Sequence, residues 1–266
     1  MADVRLTSSP WGFRHTPLER QCEWLKAHGI RYICGQCVKG MAGMFDPDIS
    51  DDEIAQALKL VKRYGLRYAS FNGEGDFMVK EGVEKEIEAC CRRAETAAKF
   101  AAEILIVFAG WQDRRDDAVF DQVSSALKQI AGCAGRHHLT VALENHGGLT
   151  TTAEQINRIL DAVDEPNIGV NYDPANFLMY GEDPLKALKE LRHPVVFTHF
   201  KSVKHVGGKK VYCRLREGDI DYLPILKVLK RTYKGYYAIE YEEPSDVLAG
   251  SEDDLNSLKA LLAEVR

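Results

Sequence analysis

Four ionisable side chains stand where short apolar runs stop. Val141-Ala142-Leu143 ends in Glu144, Ile168-Gly169-Val170-Asn171-Tyr172 in Asp173, Val195-Val196-Phe197-Thr198 in His199, and Tyr237-Ala238-Ile239 in Glu240. Three carboxylates and an imidazole gathered at one place repel one another unless a cation neutralises them. Mixed oxygen and nitrogen donors suit one divalent ion such as Mn, Mg, Co or Zn. Such a centre fits chemistry in which a proton is removed beside a carbonyl held by the metal, because the enediolate that forms needs a cation on its oxygens. In this reading Glu144 and Glu240 are the candidate proton-transfer pair, and all four residues hold the metal.

These residues reach one place only if the elements carrying them do. A short β-branched or aromatic run followed by an amphipathic segment recurs along the whole chain, which is the rhythm of βα units. Expected strands are Val4–Ser8, Arg31–Gly35, Arg67–Asn72, Ile104–Ala109, Thr140–Asn145, Ile168–Asp173, Val195–Lys201 and Tyr236–Tyr241. Helix starts are marked by the capping-box patterns Ser50-x-x-Glu53 and Thr151-x-x-Glu154, and by Asp183-Pro184. Near-continuous apolar strands, each followed by a helix, predict a parallel sheet covered by helices. A chain of 266 residues matches the usual length of a (β/α)8 TIM barrel, so the expected fold is α/β, one barrel domain over residues 1–266. The competing doubly wound sheet needs a Gly-rich turn after its first strand, where Ser8-Ser9-Pro10-Trp11-Gly12 stands instead.

Bulk properties narrow the partners. A net charge of -5 and the lack of a basic stripe argue against nucleic acid. Apolar runs are strand-length and the start MADVRLTSSPWGF has no signal-peptide pattern, so no membrane association and a cytoplasmic location are expected. Seven cysteines without framework spacing read as reduced thiols, Cys34-Gly-Gln-Cys37 included, since a loop-like segment and not a helix follows it.

Further residues are placed to meet a substrate. Lys201 follows His199 by two positions and so returns to the same strand face. His146 and Asn176 follow the Glu144 and Asp173 strands and can hydrogen-bond hydroxyls. Trp111 and Phe71, near the ends of the fourth and third strands, can wall a sugar ring. Arg214 and Arg216 can bind a phosphate or carboxylate. Singly, each has a bland reading as a surface charge, a core aromatic or a solvated loop.

The segments Leu143-Glu144-Asn145-His146, Asn171-Tyr172-Asp173-Pro174-Ala175-Asn176, Thr198-His199-Phe200-Lys201, Glu217-Gly218-Asp219-Ile220-Asp221 and Ile239-Glu240-Tyr241-Glu242 resemble the sugar phosphate isomerase/epimerase group of xylose isomerase-like TIM barrels. The likeness runs from about residue 139 to 243. It implies a metal-dependent isomerase or epimerase of a sugar or sugar derivative, with one divalent ion, most often Mn, and a homodimer or homotetramer. Two positions depart from the ketose 3-epimerase pattern: Asn176 stands where a substrate-binding His is common, and Thr150 where a further acid is expected. Dehydratases and lyases acting on inososes or 3-oxo-sugars share the metal site and form the alternative. The related endonuclease IV branch needs extra His ligands, and neither Asn176 nor the Gly207 to Arg216 segment supplies them. A non-catalytic binding barrel is the remaining reading.

Overall fold

The computed structural model describes residues 4–243 and 245–265. Its first half runs β1 (Arg5–Ser8), α1 (Leu18–Ala27), β2 (Tyr32–Gln36), α2 (Asp51–Arg63), β3 (Arg67–Glu74), α3 (Val83–Lys99), β4 (Ile104–Val107) and α4 (Asp117–Arg136). The second half runs β5 (Thr140–Glu144), α5 (Ala153–Val163), β6 (Ile168–Tyr172), α6 (Pro174–Met179), α7 (Pro184–Glu190), β7 (Val195–Phe200), β8 (Ser202–Val206), β9 (Lys209–Cys213), α8 (Tyr222–Leu229), β10 (Tyr236–Ile239) and α9 (Val247–Glu264).

Eight parallel strands form one sheet in the order β1-β10-β7-β6-β5-β4-β3-β2. Among the described residues no backbone ladder joins β1 to β2, but the Thr7 hydroxyl donates to the Tyr32 carbonyl at 3.1 Å across that seam. The chain is therefore a nearly closed TIM barrel with its helices outside. Strand alternation divides the apolar residues into two cores. Tyr32, Cys34, Ile104, Ile106, Ala142, Phe197, Tyr236 and Ala238 fill the barrel interior, while the opposite strand faces meet the helices in a larger core.

The same alternation decides what reaches the barrel mouth. Following Tyr32 and Cys34, Gln36 points inward; following Ala142, so does Glu144; following Phe197, so do His199 and Lys201. On β3 an irregularity in the pairing with β4 falls between Asn72 and Glu74, and Glu74 takes a left-handed φ of 54°. Bulges of this kind re-aim side chains beside functional sites.

Helix starts obey local chemistry. The Ser50 box is complete: its hydroxyl accepts from the Glu53 amide and the Glu53 carboxylate accepts from the Ser50 amide. The second box lies one residue later than expected, formed by Thr152 and Gln155 in place of Thr151 and Glu154. The Gln155 carbonyl also accepts from the Thr151 amide and hydroxyl, satisfying two successive donors that Glu154, pointing to solvent, does not reach. Asp183 caps α7 as expected.

Two features depart from the sequence reading. The segment after Lys201 is a hairpin, β8 and β9, turned by Gly207 and Gly208 with φ of 57° and 79°. Two successive positive φ values define a type I′ turn, so the Gly-Gly pair is the signal for it. Not all thiols are free either: Cys91 of α3 and Cys133 of α4 form a disulfide, with Cα atoms 5.6 Å apart. Cys34 and Cys37 are free and buried, and burial pushes both thiols up to about 11.

Candidate active site

Glu144, Asp173, His199 and Glu240 converge at the C-terminal mouth of the barrel, and one ligand atom from each lies within 4.8 Å of all the others. All four are buried, Glu240 being the most open at 6%. Each is held by a different device. Glu144 ends β5, where its Oε2 accepts from Asn171 Nδ2 at 2.8 Å and its Oε1 from Asn176 Nδ2 at 3.2 Å. Asp173 is the N-cap of α6, its Oδ1 accepting from the Ala175 and Asn176 amides, which leaves Oδ2 toward the site. Glu240 follows β10, with Ser9 donating to Oε1 and Lys201 donating to Oε2 at 2.7 Å. His199 Nδ1 lies 3.4 Å from Glu144 Oε2 and 3.5 Å from Glu240 Oε2.

Asn145 locks the centre from behind. Its Nδ2 donates to the Asp173 carbonyl at 2.7 Å, and its Oδ1 accepts from the Asp173 amide at 2.8 Å. One side chain thus fixes both backbone groups of a carboxylate residue on the neighbouring strand, tying the Glu144 and Asp173 positions together.

The electrostatics show how much negative charge is gathered here. Burial raises the Asp173 carboxyl to about 6, against the lowering effect of the Lys201 ammonium. Burial would lower the His199 imidazole, but Glu240 and Glu144 outweigh it and raise it to about 9. Burial likewise opposes ionisation of Glu240, yet His199 and Lys201 prevail and depress it. Protons on Asp173 and His199, or a divalent cation among the four, are the two ways to balance this charge. The donor set fits the cation: three carboxylates and one imidazole, with His199 Nε2 lacking any hydrogen-bond partner and Asp173 Oδ2 meeting the Lys201 ammonium only as an ion pair at 3.2 Å. Neighbouring donors also fix the orientation of Glu144 and Glu240, as ligands require.

The remaining expected site residues divide. A cavity of about 560 Å³ is lined by Glu144, His199 and Glu240 of the four, and by His146, Lys201 and Trp111. His146 lies 4.9 Å from both Phe108 and Trp111, ring centre to ring centre, and Trp111 is 50% exposed at the rim. Lys201 is buried and bridges Asp173, Glu240 and Glu242. Asn176 does not line the cavity; it holds Glu144 from behind. Thr150, the other departure from the epimerase pattern, accepts from the His146 amide at 3.0 Å and so shapes the loop that presents that imidazole.

Three further expectations are corrected. Phe71 faces the helices, not the cavity, in an aromatic cluster with Phe45, Tyr68 and Phe100. β3 points Asn72 inward and therefore Phe71 outward. Arg214 is engaged by Asp246 and Asp253, and Arg216 is exposed; neither lines the cavity. The hairpin intervenes, so it is Tyr212 of β9 that reaches the cavity from this stretch. Residues that the sequence did not single out also line it, among them Trp11, Gln36, Asn72, Glu74, Arg93, Phe108 and Glu242. Inward strand parity past the last interior apolar residue was the signal available for Gln36.

No described helix is long and apolar enough to cross a membrane. An inosose dehydratase of Clostridium perfringens is 25% identical over 138 residues, covering 46% of each chain. A 3-dehydroshikimate dehydratase of Bacillus anthracis is 26% identical over 175 residues, covering 59% of this chain and 62% of that one. These matches thus span between about half and three fifths of the curated relatives' lengths. Among solved structures, the IOLI protein with a bound zinc atom superposes with a TM-score of 0.83 at 16% identity, over 99% of both chains, which bears on the fold. The profile of the xylose isomerase-like TIM barrel family matches residues 22–261, and the chain belongs to that family.

Proposed function

We propose that this protein is a divalent-metal-dependent dehydratase of polyhydroxy ketones. The observation that carries this reading is the buried quartet of Glu144, Asp173, His199 and Glu240, with ligand atoms within 4.8 Å and with three of its members, Glu144, His199 and Glu240, lining a cavity of about 560 Å³. Dehydratases among the curated relatives support elimination as the outcome. The quartet would hold the metal, which when bound supplies Lewis-acid stabilisation of negative charge developing on a ketone oxygen.

The chain's own groups then move the protons. Glu144 takes the proton from the carbon beside the carbonyl; its carboxylate is oriented by two amides, Asn171 and Asn176, and, despite burial, His199 holds it ionised. Glu240 is held ionised by His199 too, and the Lys201 ammonium and Ser9 hydroxyl that bond it reduce its basicity further. Lys201, lining the same cavity, donates a proton to the hydroxyl on the next carbon as that carbon–oxygen bond breaks, so that it leaves as water. Proton return from Glu144 to Lys201 through solvent restores both groups. His146 and Trp111 bound the cavity wall and limit water around the ketone.

Isomerisation or epimerisation starts with the same proton removal. The observation favouring it is the second carboxylate, since Glu240 shares the site with Glu144 and could return the proton at another face or carbon. One experiment separates the two. Metal-loaded protein is incubated in D2O with inososes, 3-dehydroshikimate and keto sugars, and products are read by mass spectrometry. Loss of one water is the expected result. Deuterium gain without water loss would establish the isomerase or epimerase reading instead, and no change in any ketone would defeat both.

A further inference from the structure

Across the cavity from the quartet, three polar side chains of β2 and β3 form a relay. Gln36 Nε2 donates to Glu74 Oε1 at 2.6 Å, and Asn72 Nδ2 donates to Gln36 Oε1 at 3.3 Å. Gln36 is 4% exposed and Asn72 5%, and all three line the cavity. The direction of this relay is fixed at one end. An ionised carboxylate only accepts, so Gln36 must turn its NH2 to Glu74 and its oxygen to Asn72. Asn72 must then turn its NH2 to Gln36, which leaves Asn72 Oδ1 as a buried acceptor without a partner. A buried acceptor left unmatched costs about 1–3 kcal/mol, so the geometry calls for a donor from a ligand.

We propose that Gln36, Asn72 and Glu74 form a hydroxyl-reading subsite, so that the end of the polyhydroxy ketone lodged there bears an uncharged hydroxyl and not a carboxylate or phosphate. The inference rests on the dehydratase reading and specifies its substrate class. A hydroxyl supplies the donor that Asn72 Oδ1 lacks, whereas an ionised carboxylate or phosphate offers only acceptors. The surrounding charge acts in the same direction, because Glu74, Asp76, Glu86 and Glu242 line the cavity as well. Of the two Lys and Arg side chains among the described lining residues, Lys201 is bridged to Asp173, Glu240 and Glu242, and Arg93 has its Nη1 donating to the Gly73 carbonyl at 2.9 Å and its Nη2 facing Glu74 at 3.8 Å.

The test uses two unreactive probes of similar ring size, an inositol and cyclohexanecarboxylate, which has no hydroxyl, titrated calorimetrically into the metal-loaded protein. The inositol is expected to bind at least about ten-fold more tightly than cyclohexanecarboxylate, the worth of roughly one matched hydrogen bond. Asn72→Ala should lose about ten-fold for the inositol and nothing for cyclohexanecarboxylate. Glu74→Gln should narrow the gap between the probes, because an amide at that position both donates and accepts and no longer fixes the relay. Equal or tighter binding of cyclohexanecarboxylate, equal losses for both probes in Asn72→Ala, or no binding of the inositol would overturn the inference. Inositol binding with this pattern but no turnover of any ketone would instead remove the dehydratase reading and leave the subsite standing.

Discussion

The two sides of the barrel mouth are built from different materials. From β5 to β10 the strand ends present ionisable groups, Glu144, Asp173, His199 and Glu240, each oriented by a separate donor or cap. From β2 to β4 the strand ends present the amides Gln36 and Asn72 and the aromatic Phe108, with Glu74, Asp76, Glu86 and Arg93 beside them and Glu74 facing Arg93. In the proposed function the first side carries the reaction and the second the recognition. The contrast teaches that reaction and selection are physically separable here, so substitutions on the two sides should fail in different ways.

The largest effect is expected at Glu144. Glu144→Gln keeps the shape and both amide neighbours in reach but removes the base, and turnover should fall by about 10²–10⁴-fold in steady-state kinetics. Retention of wild-type turnover would break the division between the sides. A second, smaller effect falls on a residue that touches neither substrate nor ion. Asn145→Ala deletes the two hydrogen bonds that clamp Asp173, and metal affinity measured by chelator competition should drop by about 10–100-fold. An unchanged affinity would show that Asp173 needs no such clamp.

Two substitutions outside both sides serve as controls. Phe71→Leu removes aromatic contacts in the helix-facing core, so unfolding stability should decline by about 1–3 kcal/mol while KM and kcat hold. A raised KM with unchanged stability would return Phe71 to the cavity wall. Arg214→Ala deletes partly exposed ion pairs to Asp246 and Asp253, for which about 0.2–1 kcal/mol and no kinetic change are expected. A kinetic defect there, measured with any ketone, would extend the site past the hairpin.

The two sides were also unequally legible in the sequence. Strand-end acids after apolar runs stand out because parity and burial force them into the mouth, so Glu144, Asp173, His199 and Glu240 are visible together and the barrel with them. Gln36 and Asn72 carry no charge, and an amide at a strand end has many uses; their relay shows only once the strands bring Gln36 beside Asn72 and Glu74. Phe71 and Arg214 were misplaced for related reasons. A one-residue change in strand parity moved the first to the other face, and the β8–β9 hairpin, marked only by Gly207-Gly208, carried the second away from the cavity. The Cys91–Cys133 link joins helices of successive βα units, and no local pattern marks such a pair.

The central claim is that Glu144, Asp173, His199 and Glu240 hold one divalent ion. Crystals soaked with Mn(II), with data collected near the manganese absorption edge, test it most directly. The account predicts a single strong anomalous peak per chain within bonding distance of all four side chains, lost in His199→Ala. No peak among them at millimolar Mn(II), or a peak held by other residues, would contradict it.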